Sequence, residues 1–308
     1  MKVIQSLWTK PLIKTTNQYI NDRSDGGWKS RKYHFISLAL SCLQLRKFYN
    51  NVELVTDKLG YEILIKLLKL PYTKVVVALD DLNNYHSDLW SLGKIYTYSL
   101  QQTPFIHIDG DVYIWQKLNH QFSQSSLLAQ NEEIKFDYYS SIYDSAVRHL
   151  PFIPHVLIKS VNRNGGIIGV NAGVLGGSNI EFLSLYAKEA FDFINKNYSF
   201  LNRIDIGLFN NVVEQFLFHA LASNFNYKID YLLKNVNNRY DGICDLTGDA
   251  NDREYVHALG INKKKNIVNS IIEYRLQVDY PEYYYRIINL LFTSQIELVK
   301  NFYNSQPY

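Results

Sequence analysis

Cysteine is almost missing from this chain. Cys42 and Cys244 are the only two, and neither has the spacing of a zinc or redox motif. Two isolated thiols fit a reducing compartment rather than a disulfide framework. Long apolar runs are missing as well: nowhere do about 18 such residues follow one another, the length that crosses a bilayer. The opening stretch MKVIQSLWTK is broken by Gln5 and Pro11 and lacks the long apolar core of a secretion signal. A cytoplasmic protein is expected, one that meets a membrane only at its inner face. An excess of one charge is also lacking. Thirty-two Lys and Arg stand against 29 Asp and Glu, a formal +3, and the longest basic block is Lys263-Lys264-Lys265. That balance argues against nucleic acid as the main partner.

The composition is otherwise that of an ordinary globular protein, 47% hydrophobic and 20% charged, with 25 tyrosines. At 308 residues the chain can build two small domains or one large α/β domain. Periodicity predicts strands at 2–7, 52–56, 74–79 and 105–108, with helices over 32–46, 61–68 and 89–100 between them. This alternation argues for a mostly parallel sheet covered by helices on both faces. Ligands of such sheets bind beyond the carboxyl ends of the strands. Residues 5–8, 56–57 and 109–111 are expected on that edge. Further on, 121–148 is polar and aromatic and predicts an insertion or loop layer, and 165–177 predicts a glycine-rich loop. Helices are expected over 180–197 and 206–222, strands at 227–231 and 255–259, and an aromatic-rich helical stretch over 268–308.

Asp109-Gly110-Asp111 follows an apolar strand and precedes another apolar stretch, 112–115. If strand geometry persists, both carboxylates point the same way. Two hard oxygen ligands suit Mg²⁺ or Mn²⁺, which keeps waters and bridges to substrate phosphates. Gly110 leaves room for a diphosphate to approach the backbone. The rival reading is a solvated acid pair at a strand end.

The run FIHIDGDVYIW resembles the metal-binding "DxD" segment of GT-A-fold glycosyltransferases. VNAGVLGG (170–177) and HALGINK (257–263) resemble segments that follow it in glycosyltransferase family 8 and related bacterial enzymes. The resemblance implies a GT-A-like, Rossmann-type α/β fold in a single elaborated domain, 1–308. Its nucleotide-binding half would span about 1–115, its donor and acceptor half about 116–267 and a helical extension about 268–308. It implies a Mn²⁺ or Mg²⁺ cofactor on Asp109, Asp111 and His257, with Gly260 and Lys263 on the diphosphate. It further implies that Asn171, Ala172 and Gly173 lie at a tight turn beside the donor sugar. The chemistry of the residues agrees, since an imidazole beside two carboxylates favours Mn²⁺ over Ca²⁺. Lys263 is a point charge able to stabilise a departing diphosphate.

Family 8 enzymes also carry an acidic-Gln pair near the donor's anomeric carbon. Glu214-Gln215 stands in a comparable place, with Glu where Asp is usual; an exposed pair on an amphipathic helix is the alternative. Trp8 resembles the aromatic that stacks on uracil in related transferases, which needs a flat exposed ring; a core Trp is the alternative. HSDLWSLGK (86–94) is similar to those families' Ser-Asp-x-x-Arg segment, with Asp88 in place and Lys94 standing in for the missing Arg. Asp205 is expected to serve the helix N-terminus.

The function implied is transfer of a sugar from a nucleoside diphosphate sugar, UDP-linked by preference, to a hydroxyl of a glycan or lipid-linked acceptor. Retention follows if the family 8 likeness holds, with Gln215 or the leaving phosphate itself supporting a front-face substitution. If the reaction inverts, Glu214 or Asp205 is the candidate base. A nucleotidyltransferase and an inactive sugar-binding scaffold are the rival readings. The aromatic stretch 281–292 is expected to pack on the catalytic domain or to touch a membrane surface.

Overall fold

The structure is a computed structural model that describes residues 2–13, 25–119, 124–134, 136–234, 236, 246 and 255–293. The chain divides into two compact units. The first comprises residues 2–84, 109–118 and 242–308, the second 85–108 and 119–241.

In the first unit, β1 (Lys2–Leu7), β2 (Val52–Thr56) and β3 (Lys74–Val77) form a parallel set in the order β3-β2-β1. Val3 stands opposite Val52, and Leu54 opposite Val75. Parallel neighbours need a crossover, and α1 (Arg31–Phe48) supplies the one from β1 to β2, while the short α2 (Lys58–Tyr61) follows β2. Every residue of α1 from Phe35 to Leu45 is buried, Ser37, Ser41 and Gln44 included. A helix wrapped on all sides needs partners for such polar groups. Ser37 donates to the Gly110 carbonyl at 2.7 Å and Ser41 to that of Val112 at 2.6 Å. The core around α1 takes in Trp28, Leu54, Leu64, Ile272 and Ile287. The last two come from α9 (Asn266–Asp279) and α10 (Pro281–Phe292), the described part of the helical aromatic stretch expected over 268–308; residues 294–308 lie outside the described ones. A separate antiparallel pair, β5 (Val112–Ile114) and β9 (Tyr255–His257), completes the unit.

The second unit has the strand order β4-β7-β6-β8, from β4 (Phe105–Ile108), β6 (Leu127–Ile134), β7 (Ile168–Gly177) and β8 (Ile229–Tyr231). β7 runs antiparallel to both neighbours, while β6 and β8 are parallel. Helices α3 (Leu92–Ser99), α4 (Asp137–His149), α5 (His155–Asn164) and α6 (Ile180–Asn197) belong to it. So does a helix made of α7 (Ile206–Asn211), a π-turn (Val212–Phe216) and α8 (Leu217–Asn224). The α/β class and most predicted elements are present.

Two expectations need correction. The segment 121–148 is no loop layer among its described residues: it carries β6 and α4, whose inward tyrosines Tyr139 and Tyr143 are buried. The glycine-rich stretch is mostly β7, buried along nearly its whole length. Its glycines serve close strand packing, since a Cβ at Gly176 would lie 2.2 Å from the Phe105 carbonyl oxygen.

Candidate functional site

Asp109 and Asp111 do not project from one continuous strand. The Val112 amide donates to the Asp109 carbonyl at 3.1 Å, closing a turn between β4 and β5. Gly110 does not leave space for a ligand either. A Cβ there would lie 2.3 Å from Leu38 Cδ2, so the missing side chain lets the turn sit down on α1. The turn is pinned by Ser37 and Ser41, and Gln5 donates to Ser41 at 2.9 Å.

The third ligand arrives through the β5–β9 pair, whose register sets His257 opposite Val112. The Ala258 amide then donates to the Asp111 carbonyl at 3.0 Å. In consequence Asp109, Asp111 and His257 each offer a ligand atom within 4.8 Å of the others. It is the one such group of three among the described residues. Two carboxylates and an imidazole fit Mn²⁺ or Mg²⁺ by donor chemistry.

Lys263 joins the same cluster, its Nζ 2.5 Å from Asp111 Oδ2, while His257 Nε2 lies 3.3 Å from Oδ1. Burial pushes the Asp111 carboxyl up, but the charges of Lys263 and His257 outweigh it and hold the group well below the usual carboxylate range. Lys263 also lies 5.9 Å from the ring of buried Trp28, and Lys264 donates to the Trp28 carbonyl. Gly260, at φ +44 with nothing within 4 Å of a would-be Cβ, opens the short 3₁₀ helix that carries both lysines. Burial, with Lys263 adding to it, lowers the His34 imidazole to about 3.

Trp8 is not an exposed platform. It is 5% exposed, so the core reading of this residue replaces the stacking one. Next to it, Asp57 accepts from the Thr9 amide and hydroxyl at 2.7 Å each and from the Gly60 amide at 2.7 Å. Burial raises that carboxyl to about 6 despite these donors.

The remaining candidates lie in the second unit and separate into two groups. Lys94 Nζ is 2.5 Å from Glu214 Oε1 and 3.5 Å from the Ala172 carbonyl. Glu214 is completely buried, so the exposed-pair alternative does not describe it. Tyr186 donates to the Glu214 carbonyl at 2.8 Å. The second group holds Asn171 and Gln215. Asn171 Nδ2 donates to Glu133 Oε1 at 3.2 Å, and its Oδ1 accepts from the Gly173 amide at 3.0 Å. Asn171, Ala172 and Gly173 therefore sit within extended β7 and make no tight turn. Glu133 also accepts from Tyr138 at 2.8 Å and from Tyr139, which in turn meets Gln215 Oε1 at 2.5 Å.

Asp88 has its carbonyl bound by Asn210 at 2.7 Å, and Asn210 Oδ1 caps the Ser91 amide and hydroxyl. Asp205 caps α7 by accepting from the Leu208 amide at 2.9 Å, the local role expected of it. Sequence reasoning missed Glu133, Tyr138, Tyr139 and Asn210. The first three carry no local sequence signal: they lie where β6 and the start of α4 meet, which only the fold brings about.

Fold and donor set together define an α/β protein with a candidate divalent-metal centre. The chain belongs to DUF6734, a family of unknown function whose model matches residues 1–290. No curated protein matches it. Solved structures that it resembles include glycosyltransferases. One is the galactosyltransferase LgtC in complex with donor and acceptor sugar analogs, at 9% identity and a TM-score of 0.37 over 69% of this chain and 70% of that one. Another is mouse xyloside xylosyltransferase 1 in its apo form, at 11% and 0.36 over 83% and 96%. A third is GlyE of Streptococcus pneumoniae TIGR4, at 11% and 0.42 over 96% and 64%. Among the described residues, no helix is long and apolar enough to cross a membrane.

Proposed function

We propose that this chain is a metal-dependent glycosyltransferase that takes a nucleoside diphosphate sugar, UDP-linked by preference, and transfers the sugar to a hydroxyl acceptor. One observation carries the reading: Asp109, Asp111 and His257 converge within 4.8 Å, with Lys263 against Asp111. Two acids and an imidazole in such a cluster make a divalent-metal site, and a lysine at its rim suits a substrate that carries phosphate. Asp109, Asp111 and His257 would hold Mn²⁺ or Mg²⁺. Bound there, the ion would neutralise charge on a departing diphosphate. Lys263 would add a second positive charge, and Gly260 would leave the backbone open for a phosphate.

In the second unit, the role at the reacting carbon falls to Gln215 rather than Glu214. Glu214 is sealed and neutralised by Lys94, which suits a structural charge and not a proton acceptor for an incoming hydroxyl. With no nucleophilic carboxylate assigned, retention by front-face substitution is the stereochemistry proposed. Asn171, Ala172 and Gly173 would contact the donor sugar. A glycan or lipid-linked acceptor and a cytoplasmic setting at the inner membrane face belong to the same proposal; the scarcity of cysteine supports the setting.

The test is release of UDP from a panel of UDP-sugars with Mn²⁺. Asp111→Asn should lower that release at least about 100-fold and weaken Mn²⁺ binding, while circular dichroism stays that of the wild type. Unchanged UDP release in this variant would overturn the assignment. Mn²⁺ binding with no turnover of any donor by the wild type would point to a binding scaffold instead.

A further inference from the structure

The second unit buries a cluster of side-chain oxygens around Glu133. Glu133 is 1% exposed, and Tyr139 is completely buried. The Tyr138 hydroxyl lies 2.8 Å from Glu133 Oε2, the Tyr139 hydroxyl meets the same oxygen, and it also lies 2.5 Å from Gln215 Oε1. These are three close oxygen–oxygen contacts served by two phenolic protons, and the two hydroxyls also hydrogen-bond to each other. An oxygen pair at that distance with no proton between them is repulsive, so a third proton must enter. It comes either from a protonated Glu133 or from the Gln215 amide turned by half a rotation, which exchanges its oxygen for its NH₂.

The surroundings favour the second solution. Asn171 Nδ2 donates to Glu133 Oε1, and Tyr138 donates to Oε2. Donors aimed at both oxygens stabilise the carboxylate form. Burial, then the charge of Glu133, raises both phenols well above their ordinary range, so each keeps its proton. With Glu133 ionised, Tyr139 gives its one proton to the carboxylate, and its oxygen then accepts from Gln215 Nε2. The arrangement depends on Gly169, since a Cβ there would lie 2.5 Å from the Tyr139 hydroxyl.

We propose that Glu133, acting through Tyr139, is a positioning residue that fixes the Gln215 amide with its NH₂ toward Tyr139 and its carbonyl oxygen turned the other way. The consequence for chemistry rests on the reading of Gln215 as the group at the reacting carbon. A carbonyl oxygen held in one orientation is an acceptor able to stabilise the electron-poor carbon of a departing glycosyl group. An NH₂ in its place would repel it.

Two measurements test this. In ¹⁵N-labelled protein without ligand, one Gln215 Nε2 proton should resonate downfield and exchange slowly; it is identified by its loss in Gln215→Ala. Tyr139→Phe should shift it upfield and speed its exchange. Glu133→Leu should do the same, because Tyr139 then donates to the Gln215 oxygen and the amide turns over. Glu133→Gln keeps an acceptor for Tyr139 and should recover part of the wild-type signal. An amide signal unmoved in both Tyr139→Phe and Glu133→Leu overturns the proposal. In the second measurement, UDP release from UDP-galactose or UDP-glucose with Mn²⁺, Tyr139→Phe should lower kcat about tenfold or more, with KM for the donor within about twofold. Wild-type kcat in that variant also overturns it. An amide that responds as stated in a protein turning over no UDP-sugar sinks the transferase reading and leaves the orientation standing.

Discussion

Each unit holds a carboxylate 2.5 Å from a lysine, Asp111 with Lys263 in the first and Glu214 with Lys94 in the second. The two pairs share a distance and little else. Glu214 has a fully buried side chain inside a helix, set by a π-turn. Asp111 and Lys263 keep 12% and 18% of their side-chain surface, on a turn and a short 3₁₀ helix, with a second acid and a histidine in the same cluster. A carboxylate with no exposed surface can only hold its element in place, even though Lys94 keeps 12% of its own side-chain surface. A pair that stays partly open, with further candidate ligand atoms beside it, can exchange its lysine for another cation. The same contact is therefore a structural element in one unit and part of the candidate metal centre in the other.

The largest expected effect breaks the sealed pair. Lys94→Met removes the cation beside buried Glu214, and should cost about 3–5 kcal/mol of stability in urea unfolding. Adding Glu214→Gln should recover most of that loss, because the uncompensated charge is then gone. A loss below about 1 kcal/mol in the single variant would mean that Glu214 finds water or another cation, and the contrast with Asp111 would collapse.

The second effect concerns a carboxylate of the first unit that has neutral donors in place of a lysine. Asp57 is raised to about 6 from an ordinary 3.8, burial outweighing the amides of Gly60 and Thr9. A raised acid favours the folded state where it is protonated. Its contribution is full below about 4 and is lost as pH rises through about 6. Asp57→Asn stays neutral throughout, so its stability relative to the wild type should climb across that window, by at most about 3 kcal/mol. His34, lowered to about 3 mainly by burial, acts oppositely: its contribution is present above its ordinary 6.5 and is lost as pH falls. Urea unfolding of both proteins between pH 4 and 7 isolates Asp57, since His34 is common to them. A flat difference would show that the cap hydrogen bonds hold Asp57 ionised.

This contrast also explains what could be read in the sequence. The metal cluster was legible because each of its residues lies in a short local signal: an acid pair after an apolar strand, and a His-x-x-Gly-x-x-Lys run. What the sequence missed is how they meet. The turn at Asp109, the packing of Gly110 on Leu38 and the Val112–His257 register are tertiary facts. The second unit was less legible because its groups pair across long separations, Glu133 with Asn171 and Tyr139 with Gln215. No local spacing marks a polar residue of β6 as buried when its neighbours look like loop. Trp8 failed for a related reason: its flat ring is equally suited to a core or a base, and only burial decides between them.

The smallest expected effect is the most direct test of the open pair. A divalent ion at Asp109, Asp111 and His257 must compete with Lys263 for Asp111, and the ammonium also repels the ion at close range. Lys263→Met removes both penalties. Without nucleotide, Mn²⁺ should bind about three- to tenfold more tightly to this variant than to the wild type, measured by calorimetry or by the loss of free Mn²⁺ resonance. With UDP present the gain should shrink or reverse, because the lysine then has phosphate oxygens to neutralise and leaves Asp111 to the metal. A variant that binds Mn²⁺ more weakly in both conditions would mean that Lys263 supports the ligand geometry instead of competing with the ion. The two lysine pairs would then be alike in kind, both structural, and the difference between the units would come down to His257 and Asp109 alone.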